Sequence, residues 1–329
     1  MKVLVTGGAG YIGSAVVHAL RGHGDTVVVY DNLSNGHREA IPHGIELVVG
    51  DVGDRVRLAE TLRVGGFDGV LHFAASIEVG ESMITPERFF RNNTANTITL
   101  LELLVEYRVT RLVFSSTAAL YGNPQRTPIA EDDPLKATNP YGESKLLVEQ
   151  MLNWFHRIHG LRFASLRYFN AAGATADVGE DHNPESHLIP IVLQAAAGAR
   201  PTVSIYGADY PTPDGSCVRD YIHIFDLAEA HVLALHRLGT GSEPERLIFN
   251  LGNGNGFSVR EVIAAAEQVT GKKVSAQEAP RRAGDPAILV ASSEKIRQEL
   301  GWKPKFPQVT EIIESAWKWR LAHPNGYGS

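Results

Sequence analysis

The sequence predicts an α/β fold, a doubly wound parallel sheet followed by a smaller C-terminal α/β domain. Three observations predict it. Short apolar runs alternate with helical patterns through the first half of the chain. Each run is β-branched and almost wholly apolar, as a strand covered on both faces must be. The first run also leads straight into Thr6-Gly7-Gly8-Ala9-Gly10-Tyr11-Ile12-Gly13, a glycine-paced turn that opens a helix.

Taken in order, strands are expected at Lys2–Val5, Thr26–Tyr30, Glu46–Val49, Gly69–Phe73, Arg111–Ser115 and Arg162–Arg167. Long helices are expected at Pro86–Tyr107 and Tyr141–His159. In the turn, Gly7 lets the first strand bend sharply, Gly10 lets backbone approach a pyrophosphate, and Gly13 lets the helix pack close to the sheet. The helix N-terminus then faces the phosphates with free N–H groups and its dipole. Asp31 ends the second strand, eighteen residues past Gly13. A carboxylate there accepts both adenosine ribose hydroxyls and repels a 2′-phosphate, which selects NAD over NADP. This is a Rossmann arrangement, although the spacing is GxxGxxG, and on the glycines alone a turn with no ligand remains open.

Ligands of such sheets sit beyond the carboxyl ends of the strands. Those ends carry Gly7, Asp31, Asp51, Phe73-Ala74-Ala75, Ser115-Ser116-Thr117 and Tyr168-Phe169-Asn170. After Asn170 the pattern loosens into Ala171–Pro184 and Gly207–Gly215, with elements at Phe225–Leu238, Leu247–Leu251 and Ser258–Thr270. The reading is a cofactor domain over 1–169 and a substrate domain over 170–329, with some strands free to return to the main sheet. The end, His323–Ser329, reads as frayed.

Composition narrows the function classes. A chain of 329 residues exceeds one average core. Net charge is −6 with no basic block, which argues against a nucleic-acid surface. No uncharged apolar stretch spans a bilayer, and the first apolar run belongs to the nucleotide fold, so neither membrane partner nor signal peptide is expected. The lone Cys217 fits a reducing, cytoplasmic setting. The histidines show no ligand spacing and Cys217 has no partner, so no metal is expected.

Tyr141 and Lys145 stand four apart at a helix start, on one face. A phenol with a pKa of about 10 becomes a base at neutral pH only after a fall of roughly 3, about 4 kcal/mol. One cation about 4 Å away at an effective dielectric near 20 supplies roughly that much. A tyrosine and lysine on an ordinary helix surface is the alternative. Thr117, after a buried strand, can orient a substrate hydroxyl; for Ser115 and Ser116, capping the backbone is the plainer role.

The chain resembles the extended short-chain dehydrogenase/reductase family nearly end to end. The resemblance lies in VTGGAGYIGS (Val5–Ser14), YDNLSNG (Tyr30–Gly36), FSSTAALYG (Phe114–Gly122), NPYGESK (Asn139–Lys145), LRYFNAAGA (Leu166–Ala174), Ser204–His223 and RRAGDP (Arg281–Pro286). It implies reversible inversion at C4 of UDP-glucose and UDP-galactose, with bound NAD recycled and Thr117, Tyr141 and Lys145 catalytic. Gly7, Gly10, Tyr11, Ile12, Gly13, Asp31, Asn32, Asp51, Val52, Phe73, Ala74, Ala75, Asn93, Ser115, Tyr141, Lys145 and Tyr168 would line NAD. Thr117, Tyr141, Asn170, His187, Leu188, Ser204, Tyr206, Arg219, Arg282 and Asp285 would meet the UDP-sugar. Arg219 and Arg282 suit a diphosphate, and Asp285 suits ribose hydroxyls.

The sequence also departs from the family's pattern. Ile77 stands where some members have lysine, Thr117 where serine is common, and His187 where many have asparagine. Leu289 stands at a wall of the sugar pocket where some members have a bulkier tyrosine, which opens room for N-acetylated sugars; a UDP-pentose is a further alternative. A dehydratase would carry Asp-Glu where Ala118-Ala119 stand, and alanine transfers no protons. A redox-sensing binding protein without chemistry is the non-enzymatic alternative, against which Thr117, Tyr141 and Lys145 count together. The resemblance further implies a homodimer through Pro86–Tyr107 and Tyr141–His159, whose Leu100, Leu101, Leu104, Leu147, Met151 and Phe155 exceed one apolar face.

Overall fold

A computed structural model describes residues 1–240, 245–282 and 285–328. Its first six strands are β1 (Lys2–Thr6), β2 (Thr26–Asp31), β3 (Glu46–Val49), β4 (Gly69–His72), β5 (Arg111–Thr117) and β6 (Arg162–Tyr168). Then come β7 (Asn170–Ala172), β8 (Val203–Tyr206), β9 (Val218–His223), β10 (Arg246–Leu251), β11 (Gly256–Ser258), β12 (Ala276–Ala279) and β13 (Ile288–Leu289). The main sheet runs β3-β2-β1-β4-β5-β6-β10, and every pairing in it is parallel. The order reverses at β1, so a crevice opens between the ends of β1 and β4.

Alternation along the strands sends residues to two cores. Val3, Val5, Val27 and Val29 pack under the helices Tyr11–Gly22 and Ile224–Leu238. Leu4, Val28, Tyr30 and Phe114 pack under Arg55–Gly65, Asn96–Glu106 and Pro140–His159. The expected Leu247–Leu251 segment is β10, which returns beside β6; the chain beyond residue 170 therefore completes the first layer. The rest builds a smaller unit in which β9 pairs with β7, β11 and β13, and β8 pairs with β12. Helices Leu188–Ala196, Val259–Thr270 and Val309–Ala322 cover it. Among the described residues no helix is long and apolar enough to cross a membrane.

Two expectations change. The helix expected over Pro86–Tyr107 holds a π-helical stretch, Phe90–Ala95, between the α-helical Pro86–Phe89 and Asn96–Glu106. Its Leu100, Leu101 and Leu104 are fully buried against this chain's own sheet, and Met151 and Phe155 are partly buried on the same core. The apolar side chains left exposed on these helices are instead Ile98, Val105, Trp154 and Ile158. The segment expected to fray is also held in place as far as Gly328, while Ser329 lies outside the described residues. Tyr327 donates its N–H to Asp181 Oδ2 at 2.9 Å, accepts the Gly179 N–H at 3.0 Å, and stacks on His37.

Candidate active site

The crevice is built from the glycine turn. Gly7 has φ +73, and a Cβ there would lie 2.4 Å from Ala74 N. A Cβ at Gly13 would lie 2.1 Å from Gly7 O, so only glycine lets the helix start this close to the strand end. A Cβ at Gly10 would meet only Gly7 O, at 3.4 Å. The turn is thus tight on its protein side, with the Gly10 N–H turned back to Gly7 O, while Tyr11 and Ile12 bring backbone N–H groups to the helix start, which suits a pyrophosphate. Asp31 accepts the Ala9 N–H at 2.9 Å and the Leu33 N–H at 2.8 Å. Burial raises its carboxyl, against which both backbone donors pull. Each oxygen keeps a second lone pair for a ribose hydroxyl, so these residues fit a dinucleotide.

Neighbouring loops fix the rest of the rim. Asn32 donates to Asp51 Oδ2 at 2.8 Å, and Val52 is buried beside them. The Phe73 and Ala74 N–H groups both donate to Thr6 O, so Ala75 leaves β4 pinned at β1. Asn93, on the π-helical stretch, accepts the Ser76 N–H at 2.8 Å and donates to Ser144 Oγ at 3.0 Å. A π turn at a functional site is a recurrent device.

Asn139 caps the helix Pro140–His159 by accepting the Gly142 N–H at 2.8 Å, with Pro140 in the first turn. That start places Tyr141 at the mouth, half-buried, and Lys145 one turn deeper, buried. Lys145 Nζ donates to Ser115 O at 2.9 Å and lies 4.9 Å from the Phe114 ring centre. Burial pulls this lysine down to about 7. Burial raises the Tyr141 phenol, Thr117 pulls it back through a hydrogen bond, and Glu78 raises it further. Thr117 Oγ1 accepts the Ala119 N–H at 3.1 Å, which leaves its own proton to donate. Ser115 Oγ is hydrogen-bonded to the Tyr168 hydroxyl. The acidification of Tyr141 expected from Lys145 is therefore opposed, because the burial that lowers the lysine also desolvates a phenolate.

Beneath this group lie polar residues that the sequence reading passed over. Ser116 donates to Glu149 Oε1 at 2.6 Å, and Arg167 grips both Glu149 oxygens at 3.0 and 2.6 Å. Arg167 also donates to the Tyr121 hydroxyl at 2.8 Å, and Tyr121 donates to Asn250 on β10 at 2.7 Å. His72 bridges Thr6 and Thr97 at 2.7 and 3.0 Å, and burial first, then Lys145, brings it to about 3. The available signal was spacing: Glu149 is one turn past Lys145, and Arg167 directly precedes Tyr168.

A second group gathers in the smaller unit. Arg219 donates to Asp285 Oδ1 at 3.3 Å. The Arg282 guanidinium lies 3.9 Å from the Tyr206 ring centre, and its hydrogen bond lowers the Tyr206 phenol. Ser204 shares β8 with Tyr206, Asn170 donates to Asp220 O at 3.1 Å, and His187 precedes the helix that begins at Leu188. Two residues of the RRAGDP motif, Ala283 and Gly284, lie outside the described residues. Leu289 packs against the buried cluster that holds Ala118, Leu120, Tyr121, Ile129 and Leu146. A surface cleft of about 750 Å³, lined by His18, Arg21, His43 and Tyr327 among others, shares no residue with either group.

One grouping lay outside the spacing patterns of the sequence. Glu180, His182, Glu185 and His187 bring one donor atom each within 4.8 Å of one another, close enough to share an ion. Their spacing follows neither helix nor strand, so periodicity could not reveal it.

The chain is similar to known proteins along its whole length. The profile of the NAD dependent epimerase/dehydratase family matches residues 3–252. The UDP-glucose 4-epimerase of Lacticaseibacillus casei is 50% identical over 330 residues, covering 100% of this chain and 99% of that protein. A crystal structure of UDP-glucose 4-epimerase from Brucella ovis in complex with NAD superposes with a TM-score of 0.93 at 44% identity, covering 97% of this chain and 98% of that one. The Bifidobacterium longum UDP-glucose 4-epimerase, in complex with NAD+ and UDP, gives a TM-score of 0.94 at 37% identity over 99% of this chain and 100% of that one.

Proposed function

The chain belongs to the NAD dependent epimerase/dehydratase family, and from that premise we propose that it inverts C4 of a UDP-hexose, interconverting UDP-glucose and UDP-galactose. The observation that carries the reading is the meeting of Thr117, Tyr141 and Lys145 at the strand ends beside the Gly7–Gly13 turn. Bound NAD supplies reversible two-electron oxidation at the sugar C4, with no net redox change.

Tyr141 takes the 4-hydroxyl proton on the way to a 4-keto sugar and returns it once the sugar presents its other face. Thr117, with a proton to donate, orients the 4-oxygen. Because burial raises the phenol, its work as a base depends on positive charge nearby, and a lysine held at about 7 carries that charge over part of the neutral range. Gly7, Gly10, Tyr11, Ile12 and Gly13 cradle the cofactor pyrophosphate, and Asp31 takes the adenosine ribose. Arg219 and Arg282 hold the substrate diphosphate, and Asp285 its ribose.

In this reading residues 1–169, completed by β10, form the cofactor unit, and most of 170–329 the substrate unit. A second copy pairs through the exposed Ile98, Val105, Trp154 and Ile158, and the lone buried Cys217 fits a reducing cytoplasm. The half-buried leucine at 289 favours a second substrate class, UDP-N-acetylhexosamines, alongside the first. Incubating the purified protein with UDP-galactose and no added cofactor should yield UDP-glucose. Absence of any new sugar nucleotide, with and without added NAD, would refute the proposal.

A further inference from the structure

We propose that Glu180, His182, Glu185 and His187 form a binding site for one divalent transition-metal ion, Zn²⁺ by donor chemistry, on the loop leading into the helix Leu188–Ala196. His187 Nδ1 lies 2.7 Å from Glu180 Oε1 and 3.0 Å from Glu185 Oε1. His182 Nδ1 lies 3.3 Å from Glu180 Oε1 and 3.9 Å from Glu185 Oε2. Tetrahedral ligands about 2.1 Å from a zinc ion stand about 3.4 Å apart, within this spread. The cluster needs only small side-chain shifts to close on an ion.

A second observation points the same way. His182 Nδ1 is shut off from solvent and makes no hydrogen bond by geometric criteria among the described residues, although Glu180 Oε1 stands 3.3 Å away. A metal–nitrogen bond would satisfy it. The Glu180 and Glu185 side chains are 7% and 6% exposed, His182 17%, and His187 42%, so three of the four ligands are largely buried and His187 is the exposed one. The Tyr11 ring stands edge-on to His182 and helps close it. Two nitrogens and two carboxylates suit zinc, cobalt or nickel, whereas calcium and magnesium call for all-oxygen sets. A dication also neutralises two carboxylates that are nearly out of water. With Nδ1 on the ion, the His187 ring is fixed in one tautomer, with its proton on Nε2.

The site stands on the geometry of the loop and does not depend on the sugar chemistry proposed above. The full-length protein, stripped with chelator and desalted, is titrated with Co²⁺ alone. One equivalent should bind with the visible bands of tetrahedral cobalt, and Zn²⁺ should displace it. Loss of an outer-shell partner typically weakens metal sites 10–100-fold, so loss of a ligand in His182→Gln, or in Glu185→Gln as a second variant, should weaken binding at least about 100-fold. Uptake below about a tenth of an equivalent, or uptake unchanged in both variants, would overturn the site. UDP-galactose turnover measured on the same stripped wild-type sample separates that failure from failure of the proposed function.

Discussion

Replacing Lys145 with methionine tests how the site stores charge. The lysine side chain is buried, with Nζ on Ser115 O and beside the Phe114 ring. A fall from an ordinary 10.5 to about 7 corresponds to about 5 kcal/mol of desolvation borne by the charged form. Below pH 7 the ammonium is charged in folded and unfolded chains alike, and folding bears the whole cost. Between 7 and 10.5 the folded chain sheds this proton while the unfolded chain keeps it, so stability from this group rises by about 1.4 kcal/mol per pH unit. Methionine fills the space and does not titrate. Losing the hydrogen bond to Ser115 O costs the variant about 1–3 kcal/mol at any pH. Guanidinium unfolding at about pH 7 and about pH 9.5 should therefore show the wild-type protein gaining about 3 kcal/mol relative to Lys145→Met. Turnover of the variant should fall at least about 100-fold. A stability difference that stays constant between the two pH values would refute the argument.

The buried pair beneath the site predicts a second effect. Arg167→Met leaves Glu149 charged and nearly out of water, and should cost about 3–5 kcal/mol in denaturant unfolding. Adding Glu149→Leu should recover most of that; no recovery would mean that packing, not charge, sets the cost. Leu289→Tyr thickens a wall packed against the cluster of Ala118 and Leu146, and should lower UDP-GlcNAc turnover relative to UDP-glucose about tenfold or more. The sugar-pocket argument falls if the wild-type protein has no detectable UDP-GlcNAc turnover, or if the ratio is unchanged.

What the sequence made legible was local. The Gly7–Gly13 turn, the Tyr141–Lys145 pair and the strands up to β6 each depend on neighbours a few residues away. What stayed hidden depends on contacts made at long range. Arg246–Leu251 finds its place beside β6 only through a parallel pairing across more than eighty residues of chain. Glu149 and Arg167 meet because a helix crosses a strand, which no pattern in either segment records. Leu100, Leu101 and Leu104 looked surplus to one face because the helix is covered by both the sheet and its neighbours. Glu180, His182, Glu185 and His187 are spaced by two, three and two in an irregular loop, where periodicity carries no information. Tyr327 could not be seen docking on Gly179 and Asp181, because its partners lie some 150 residues back.

The most direct test of the account is the turnover of Tyr141→Phe with UDP-galactose, measured on protein whose NAD content is shown to match the wild type. Thr117, Lys145 and the glycine turn are untouched by this change, and only the proton-carrying oxygen is lost. The account predicts a fall of about 100-fold to 10,000-fold with cofactor retained. Near-wild-type conversion would contradict it and would move the proton transfer to another group.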